Sequence, residues 1–325
     1  MPSEPELLSL SVSLIVPSRG PVPRLRRLLD SLAAQTIEHE TIVVDNGSEG
    51  GAVSALCSDY DFAVPLTLAE NRGFSEPVNL GAERAGGEVI VLVNDDCVCD
   101  PDFAQRIAAP IDPGAGIVMA AGVMRDKDDP ELIDTAGMQL DSTLLVYDYM
   151  NGMPVSALGR AADPIGPSAA AAAFDRAAFL GAGGFDEKLF AYWEDVDLIL
   201  RLLERGGRCK LARDARGTHE HSATLGSGSA AKNRLMGFGR GYVLRKWRVL
   251  TPRSAPGVLA REGVLLGGQA VIDRNLSGLP ARVAGWRAAT PGHAYPEIVR
   301  AAGGGDNLLG TLSRRLRRRR RLRAR

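Results

Sequence analysis

Two adjacent carboxylates at the end of an apolar run are the first feature here that could do chemistry. The stretch Glu88-Val89-Ile90-Val91-Leu92-Val93-Asn94-Asp95-Asp96 sets five consecutive apolar residues before an amide and two acids. The run is expected to be a strand buried on both faces. Its polar end would then lie at a sheet edge, where open α/β folds bind ligands. Oxygen donors there suit Mg²⁺ or Mn²⁺, ions that commonly accompany phosphates. An exposed turn is the competing explanation, because Asn and Asp favour turns.

A second pair of acids, Glu194 and Asp195, follows the aromatics Tyr192 and Trp193. Val196, Ile199, Leu200 and Leu203 fall on one face of a helix, and Asp197 with Arg201 forms an i,i+4 pair on the other. Glu194 and Asp195 therefore open that helix. They either compensate its dipole or place a carboxylate as a general base beside an aromatic wall. Further on, Thr218-His219-Glu220-His221 follows an expected strand, so its two imidazoles point the same way. Either is a candidate ligand for a metal held by the Asp pair. His39 and His293 lack such a context and are read as surface residues.

The elements that must position these groups alternate. Ser11 to Pro17 reads as a strand, and Leu25, Leu28, Leu29 and Leu32 as a helix face. Thr41 to Val44 is a strand closed by Asp45-Asn46-Gly47-Ser48, with a helix from Ala52 to Ser58. Val64 to Leu68 is a short strand weakened by Pro65. Ser75-Glu76-Pro77 reads as an N-cap with proline just inside a helix ending near Ala85. This alternation predicts an α/β fold with a parallel, helix-covered sheet. Further β segments are expected at Val118 to Val123 and Leu144 to Tyr149. The small side chains from Ala169 to Ala173 would admit close packing.

Three of the strands end in polar residues, which a parallel sheet would gather along one edge. There Arg19 could meet a phosphate, Asp45 could bond a base or ribose, and Asp95 and Asp96 could hold a metal. Together these are the parts of a nucleotide-diphosphate site. A Rossmann dinucleotide site needs Gly-x-Gly-x-x-Gly after the first strand. Pro17-Ser18-Arg19-Gly20-Pro21 is not that sequence.

Composition is that of an ordinary globular protein, with 45% hydrophobic and 24% charged residues in 325. Cys57, Cys97, Cys99 and Cys209 have neither disulfide-scaffold nor zinc spacing, so reduced thiols in a cytoplasmic protein are expected. Met1 to Leu10 is acidic without an apolar core, so no leader is expected, and no run approaches the ~18 apolar residues of a membrane span. The net charge of +0 hides nine arginines between Ser313 and Arg325, which leave the rest of the chain acidic.

Taken together, these segments resemble the family 2 glycosyltransferases. The matching pieces are Val-Ser-Leu-Ile-Val-Pro at 12–17, Ile-Val-Val-Asp-Asn-Gly-Ser at 42–48, and Glu-Asn-Arg-Gly-Phe-Ser at 70–75 with Asn79 and Gly81. Leu-Val-Asn-Asp-Asp at 92–96, Gly-Gly-Phe-Asp-Glu at 183–187 and Trp-Glu-Asp-Val-Asp-Leu at 193–198 with Arg201 follow. His219 and Ser-Ala-Thr-Leu-Gly at 222–226 complete the set. The Asn-Arg-Gly-Phe and Trp-Glu-Asp pieces are most similar to rhamnosyltransferase-type members.

The resemblance implies a GT-A-type, mostly parallel sheet with helices on both faces and a helical C-terminal extension. It implies that Pro17, Arg19 and Asp45 hold the nucleotide base and ribose, and that Asn71, Gly73 and Asn79 line the nucleotide pocket. Asp95 and Asp96 match the metal motif, with Asp96 as the direct ligand and His219 completing the shell of a Mg²⁺ or Mn²⁺ ion. Asp195 matches the base of inverting members, with Glu194 beside it. The expected reaction moves a sugar, rhamnose among the candidates, from a nucleotide-diphosphate donor to a hydroxyl of a glycan or lipid-linked acceptor in cell-surface polysaccharide synthesis.

Two other classes compete. A nucleotidyltransferase making a sugar nucleotide would need a basic glycine-rich loop, of which Arg19-Gly20 is a thin version. A basic-tailed nucleic-acid-binding protein is disfavoured by the acidic body. The expected organisation is a transferase domain at 1–250, a helical extension at 251–312 and an Arg-rich tail at 313–325. Leu308, Leu309, Leu312 and Leu316 recur at helical spacing beside the arginines, as in a helix lying on an anionic bilayer. Val258 to Trp286 is also mixed apolar and basic and could lie against the same surface. The expected location is the cytoplasm, either peripheral on the inner face of the cell membrane or, with the arginines as a solvated tail, free of it.

Overall fold

The computed structural model describes residues 10–220, 228–297 and 299. His221, the 222–226 motif, the leucine repeat at 308–316 and the Arg-rich tail lie outside them.

Strand β1 (Val12–Ser18) is almost wholly buried, as its apolar run requires. Helix α1 (Val22–Ala33) turns Leu25, Leu28, Leu29 and Leu32 inward. There follow β2 (Glu40–Asn46), α2 (Ala52–Cys57), β3 (Ala63–Leu68), α3 (Ser75–Arg84) and β4 (Val89–Val93), whose five residues are all buried. The next elements are β5 (Cys97–Cys99), α4 (Phe103–Ala108), β6 (Ile117–Asp126) and β7 (Ile133–Thr135). A small hairpin pairs β8 (Met138–Leu140) with β9 (Val146–Asp148). The chain continues through β10 (Ala171–Asp175), α5 (Arg176–Gly181), α6 (Glu194–Glu204) and β11 (Arg208–His219). Three helices close the described part: α7 (Ala230–Lys246), α8 (Ala255–Gly268) and α9 (Gly278–Ala288).

The main sheet runs β3-β2-β1-β4-β10-β6-β11-β5, with β7 beside β6. Strands β3, β2, β1 and β4 are parallel, so their C-terminal ends share one edge. Pro65 is tolerated because β3 is an edge strand. The alanine run departs from expectation. It forms β10, a central strand antiparallel to both β4 and β6. Its small side chains sit close to the neighbouring strand of the same sheet, since a Cβ added at Gly122 in β6 would lie 3.0 Å from the Cβ of Ala171.

Alternation along the strands splits the core in two. Leu14, Val16, Val43 and Val91 face α1, α2 and α4, while Ile15, Ile42, Val44 and Leu92 face α3, α5 and α6. Helices therefore cover both faces. Asp197 and Arg201 do not lie on a solvent face, as their charges had led us to expect. Both are buried, and Asp197 accepts from Arg201 Nε at 2.9 Å, Lys246 Nζ at 2.9 Å and Trp247 Nε1 at 2.9 Å. Ser75 does not cap α3 either; it is the first helical residue, and its hydroxyl donates to the Leu189 carbonyl. His293 is more than a surface residue, because its ring stacks on Trp247 with centroids 4.5 Å apart. His39 packs edge-on against Phe62.

Candidate active site

The parallel strands deliver their polar ends to one edge. Ser18 is in register with Asp45, and its hydroxyl donates to Asp95 Oδ2 at 2.6 Å. Arg24 Nη1 is 4.0 Å from the other oxygen of Asp95. Burial raises the Asp95 carboxyl to about 6, against the pull of Ser18 and Arg24. Arg19 is exposed just beyond β1, and Pro17 pairs with Val44.

Asp96 lies beside Asp95 in the turn between β4 and β5 but faces elsewhere. Its Oδ1 is 3.2 Å from Nε2 of His219, the last residue of β11. Their approach is close but not aligned for a hydrogen bond, and this buried oxygen has no hydrogen-bond partner among the described residues. On its other side, His219 Nδ1 is 2.7 Å from Oδ2 of Asp134, which is buried in β7. The Asp134 carboxylate fixes the orientation of the ring and directs Nε2 toward Asp96. Burial alone would lower the imidazole, but Asp134 and Asp96 outweigh it and raise it to about 10.

Ligand atoms of Asp96, Cys97 and His219 lie within 4.8 Å of one another. The unsatisfied Asp96 oxygen and the Asp134-fixed imidazole suit a divalent cation that accepts mixed oxygen and nitrogen donors, Mn²⁺ more readily than Mg²⁺. Cys97 fits less well, since burial holds its thiol protonated far above neutrality. All four cysteines are free and buried. Asp95 points to Ser18 rather than to this cluster.

Asp45 is completely buried. Its carboxylate accepts from Ser48 N (2.8 Å), Ser48 Oγ (3.0 Å), Ser54 N (3.0 Å) and Ser54 Oγ (2.7 Å). Burial pushes this carboxyl up, but the four donors hold it below its ordinary value. It thus ties the loop after β2 to the start of α2. Neighbouring Asn46 donates to Gly73 O at 2.6 Å and to Asn71 Oδ1 at 3.1 Å, and accepts from Arg72 N at 2.8 Å. Gly73 has φ +86°, and a Cβ there would fall 2.2 Å from Phe190 O. Phe74 N donates to the same carbonyl at 2.6 Å. Asn79 donates to Phe185 O (2.9 Å) and accepts from Phe185 N (2.7 Å), pinning the Gly-Gly-Phe-Asp-Glu loop. Gly73 and Asn79 therefore meet the segment that leads into α6, while Asn71 ties Gly73 to Asn46 at the end of β2.

That segment enters α6 through two aromatics with left-handed backbones, Tyr192 (φ +69°) and Trp193 (φ +77°). Such residues cost ~1–3 kcal/mol each unless their surroundings hold them. Trp193 Nε1 donates to Met236 O at 3.1 Å, and the Arg240 guanidinium lies 5.3 Å from its ring centroid. Glu194 is buried, and Oε2 lacks a partner among the described residues. Burial and the neighbouring Asp195 lift its carboxyl far above the usual range. Asp195 is half-buried and accepts from Val196 N at 2.8 Å. Burial, with Asp148 adding repulsion, raises it to about 6.

Sequence reasoning missed Asp134 and Arg240. The first sits in a three-residue strand and the second in the middle of α7, and neither carries a local signal.

Residues 13–151 match the model of glycosyl transferase family 2. Over this segment the chain is similar to the family 2 glycosyltransferases. The O-antigen biosynthesis protein RfbC of Myxococcus xanthus is 29% identical over 230 residues, 66% of this chain. The chain spans only 17% of that relative's length. Among solved structures, GalNAc-T7 with UDP, GalNAc and Mn²⁺ superposes with a TM-score of 0.62 at 15% identity, covering 92% of this chain and 57% of that one. The mannosyltransferase PcManGT of Pyrobaculum calidifontis, in complex with GDP-Man and Mn²⁺, gives a TM-score of 0.53 at 18% identity, covering 96% and 81%. The fold of this chain is therefore GT-A. Among the described residues, no helix is long and apolar enough to cross a membrane.

Proposed function

We propose that this protein is an inverting, metal-dependent glycosyltransferase that moves a sugar from a nucleotide-diphosphate donor to a hydroxyl of a glycan or lipid-linked acceptor. The observation that carries the reading is the Asp96–His219–Asp134 constellation at the edge where β1, β2 and β4 end. Both superposed structures hold Mn²⁺ beside a nucleotide or nucleotide sugar.

Asp96 and His219 would hold the metal, oriented by Asp134. When bound, the ion supplies Lewis-acid stabilisation of the negative charge that grows on the departing diphosphate. Arg19, exposed beside this edge, meets a phosphate. Pro17 and the loop shaped by Asp45 flank the base and ribose, and Asn71, Gly73 and Asn79 hold the pocket wall in register with α6. Asp195 takes the proton of the acceptor hydroxyl as its oxygen bonds to the anomeric carbon and the bond to the diphosphate oxygen breaks. Displacement on the opposite face inverts that centre, through an oxocarbenium-like transition state. Burial and the neighbouring Asp195 hold the Glu194 carboxyl far above its usual range, which favours Asp195 as the base.

Rhamnose is the donor sugar favoured by the Asn71–Phe74 and Trp193–Asp195 motifs, and cell-surface polysaccharide synthesis accords with the name of the Myxococcus relative. The catalytic unit is assigned to 1–250, with 251–312 as a helical extension and 313–325 as a basic tail suited to an anionic membrane surface. The test is a panel of sugar nucleotides with and without Mn²⁺, read by nucleoside diphosphate release. Metal-dependent release with one donor, lost in Asp96→Ala, is expected. No release with any donor, or undiminished release from that variant, overturns the assignment.

A further inference from the structure

We infer that the outer face of α8 and α9 is a docking surface for an anionic lipid bilayer. These helices are built with their polarity reversed. Each charged side chain of α8 is turned toward the protein. Arg261 pairs with Asp141, and Glu262 accepts from Arg240 Nε at 2.7 Å and Arg282 Nε at 2.8 Å. In the turn that follows α8, Asp273 accepts from Asn233 Nδ2 at 2.9 Å.

What remains outside is apolar. Every exposed residue between 255 and 288 is apolar, glycine or proline, except Arg274 and Arg287. Leu259, Val264, Val271, Ile272, Leu279 and Val283 are the large ones, and Val271 and Ile272 are 78% and 72% exposed. Single exposed leucines need no explanation, but a run of exposed apolar residues between 255 and 288 without one exposed acid among them does.

The charges at its border select the occupant. Both exposed charges are basic, and no exposed acid lies between 255 and 288 to pair with them. A two-fold contact between copies would bring Arg274 and Arg287 against an apolar surface that offers no carboxylate. Anionic headgroups supply that counter-charge while the acyl boundary receives the aliphatic side chains. Burial would then resist salt, unlike attraction through the arginine tail alone. The inference does not depend on which reaction the enzyme runs.

The experiment uses the full chain and vesicles of phosphatidylcholine with or without phosphatidylglycerol. Sedimentation is expected with the anionic vesicles and is expected to persist in part at about 0.5 M salt, where exposed charges are screened. Val264→Glu/Val271→Glu/Ile272→Glu should lower partitioning at least about tenfold at that salt. Because a triple variant can misfold, an Ile272→Cys chain labelled with an environment-sensitive fluorophore supplies a second measurement. Its emission should shift to the blue on anionic vesicles. Equal binding by the triple variant, or no shift of the probe, overturns the proposal. So does a wild-type dimer that the triple substitution converts to monomers with vesicle binding unchanged, which would assign the face to a second copy.

Discussion

Asp134 Oδ2 lies 2.7 Å from His219 Nδ1, and the other nitrogen of that ring lies 3.2 Å from Asp96 Oδ1. One imidazole is thus held between two carboxylates, Asp134 on its Nδ1 side and Asp96 on its Nε2 side. If Asp96 and His219 bind the metal, Asp134→Asn should weaken Mn²⁺ affinity ~10–100-fold, the usual cost of losing such a support. Calorimetric titration of Mn²⁺ into the variant checks this directly. Unchanged affinity would reduce Asp134 to a packing role.

The acid pair at α6 should separate under mutation. Asp195→Asn keeps the acceptor for Val196 N but cannot take a proton, so kcat should fall ~10²-fold or more with donor binding nearly unchanged. Glu194→Gln keeps the shape of a buried group whose charged form burial disfavours, and should stay within about fivefold of wild type. Steady-state kinetics on both variants distinguishes them, and the reverse ranking would assign the base to Glu194.

The raised Asp195 carboxyl also sets a pH dependence. With its ionisation near pH 6, kcat/KM should decline as pH falls below about 6, because the protonated acid cannot accept the acceptor proton. Stability moves the opposite way. An acid whose folded value exceeds its unfolded value of ~3.9 destabilises the fold when ionised, fully above about pH 6 and not at all below ~4. Asp195→Asn should therefore melt higher than wild type at pH 8, with the gap closing toward pH 4. A gap that widens on acidification would contradict the assignment.

What could be read from the sequence follows the range of the interactions. β4 and the α1 face were visible because apolar periodicity is local. The gathering of Ser18, Asp45 and Asp95 at one edge followed from parallel alternation. Asp134 was not visible, because its meaning lies in a contact with His219, 85 residues away. Asp197 was misplaced for the same reason, since Lys246 and Trp247, which make its burial tolerable, come about 50 residues later. The alanine run gave no strand signal, because alanine has little preference for a pleated surface. Its small side chains sit between β4 and β6, to both of which β10 is paired. Asp95 and Asp96 could not be told apart until the chain direction after β4 was known.

Gly239 joins stability to the acid pair. It lies in the middle of α7, where replacing glycine by alanine should gain ~1 kcal/mol of helix propensity. An added Cβ would, however, stand 2.5 Å from Trp193 Cδ1 and 2.8 Å from the Tyr192 carbonyl oxygen. The carbonyl belongs to a left-handed residue that cannot retreat without moving the start of α6. Overpacking of this kind costs ~1–3 kcal/mol, enough to cancel or reverse the gain. Gly239→Ala should therefore lower the melting temperature, and it should lower kcat more than it raises the donor KM, because the shift reaches Asp195 through Trp193. Gly263→Ala is the control. A Cβ there meets nothing within 4 Å, so the substitution should raise stability by up to ~1 kcal/mol. Thermal melts and kinetics of the two variants check the prediction, and a Gly239→Ala enzyme as stable and active as wild type would show that Trp193 does not transmit packing at α7 to the acids of α6.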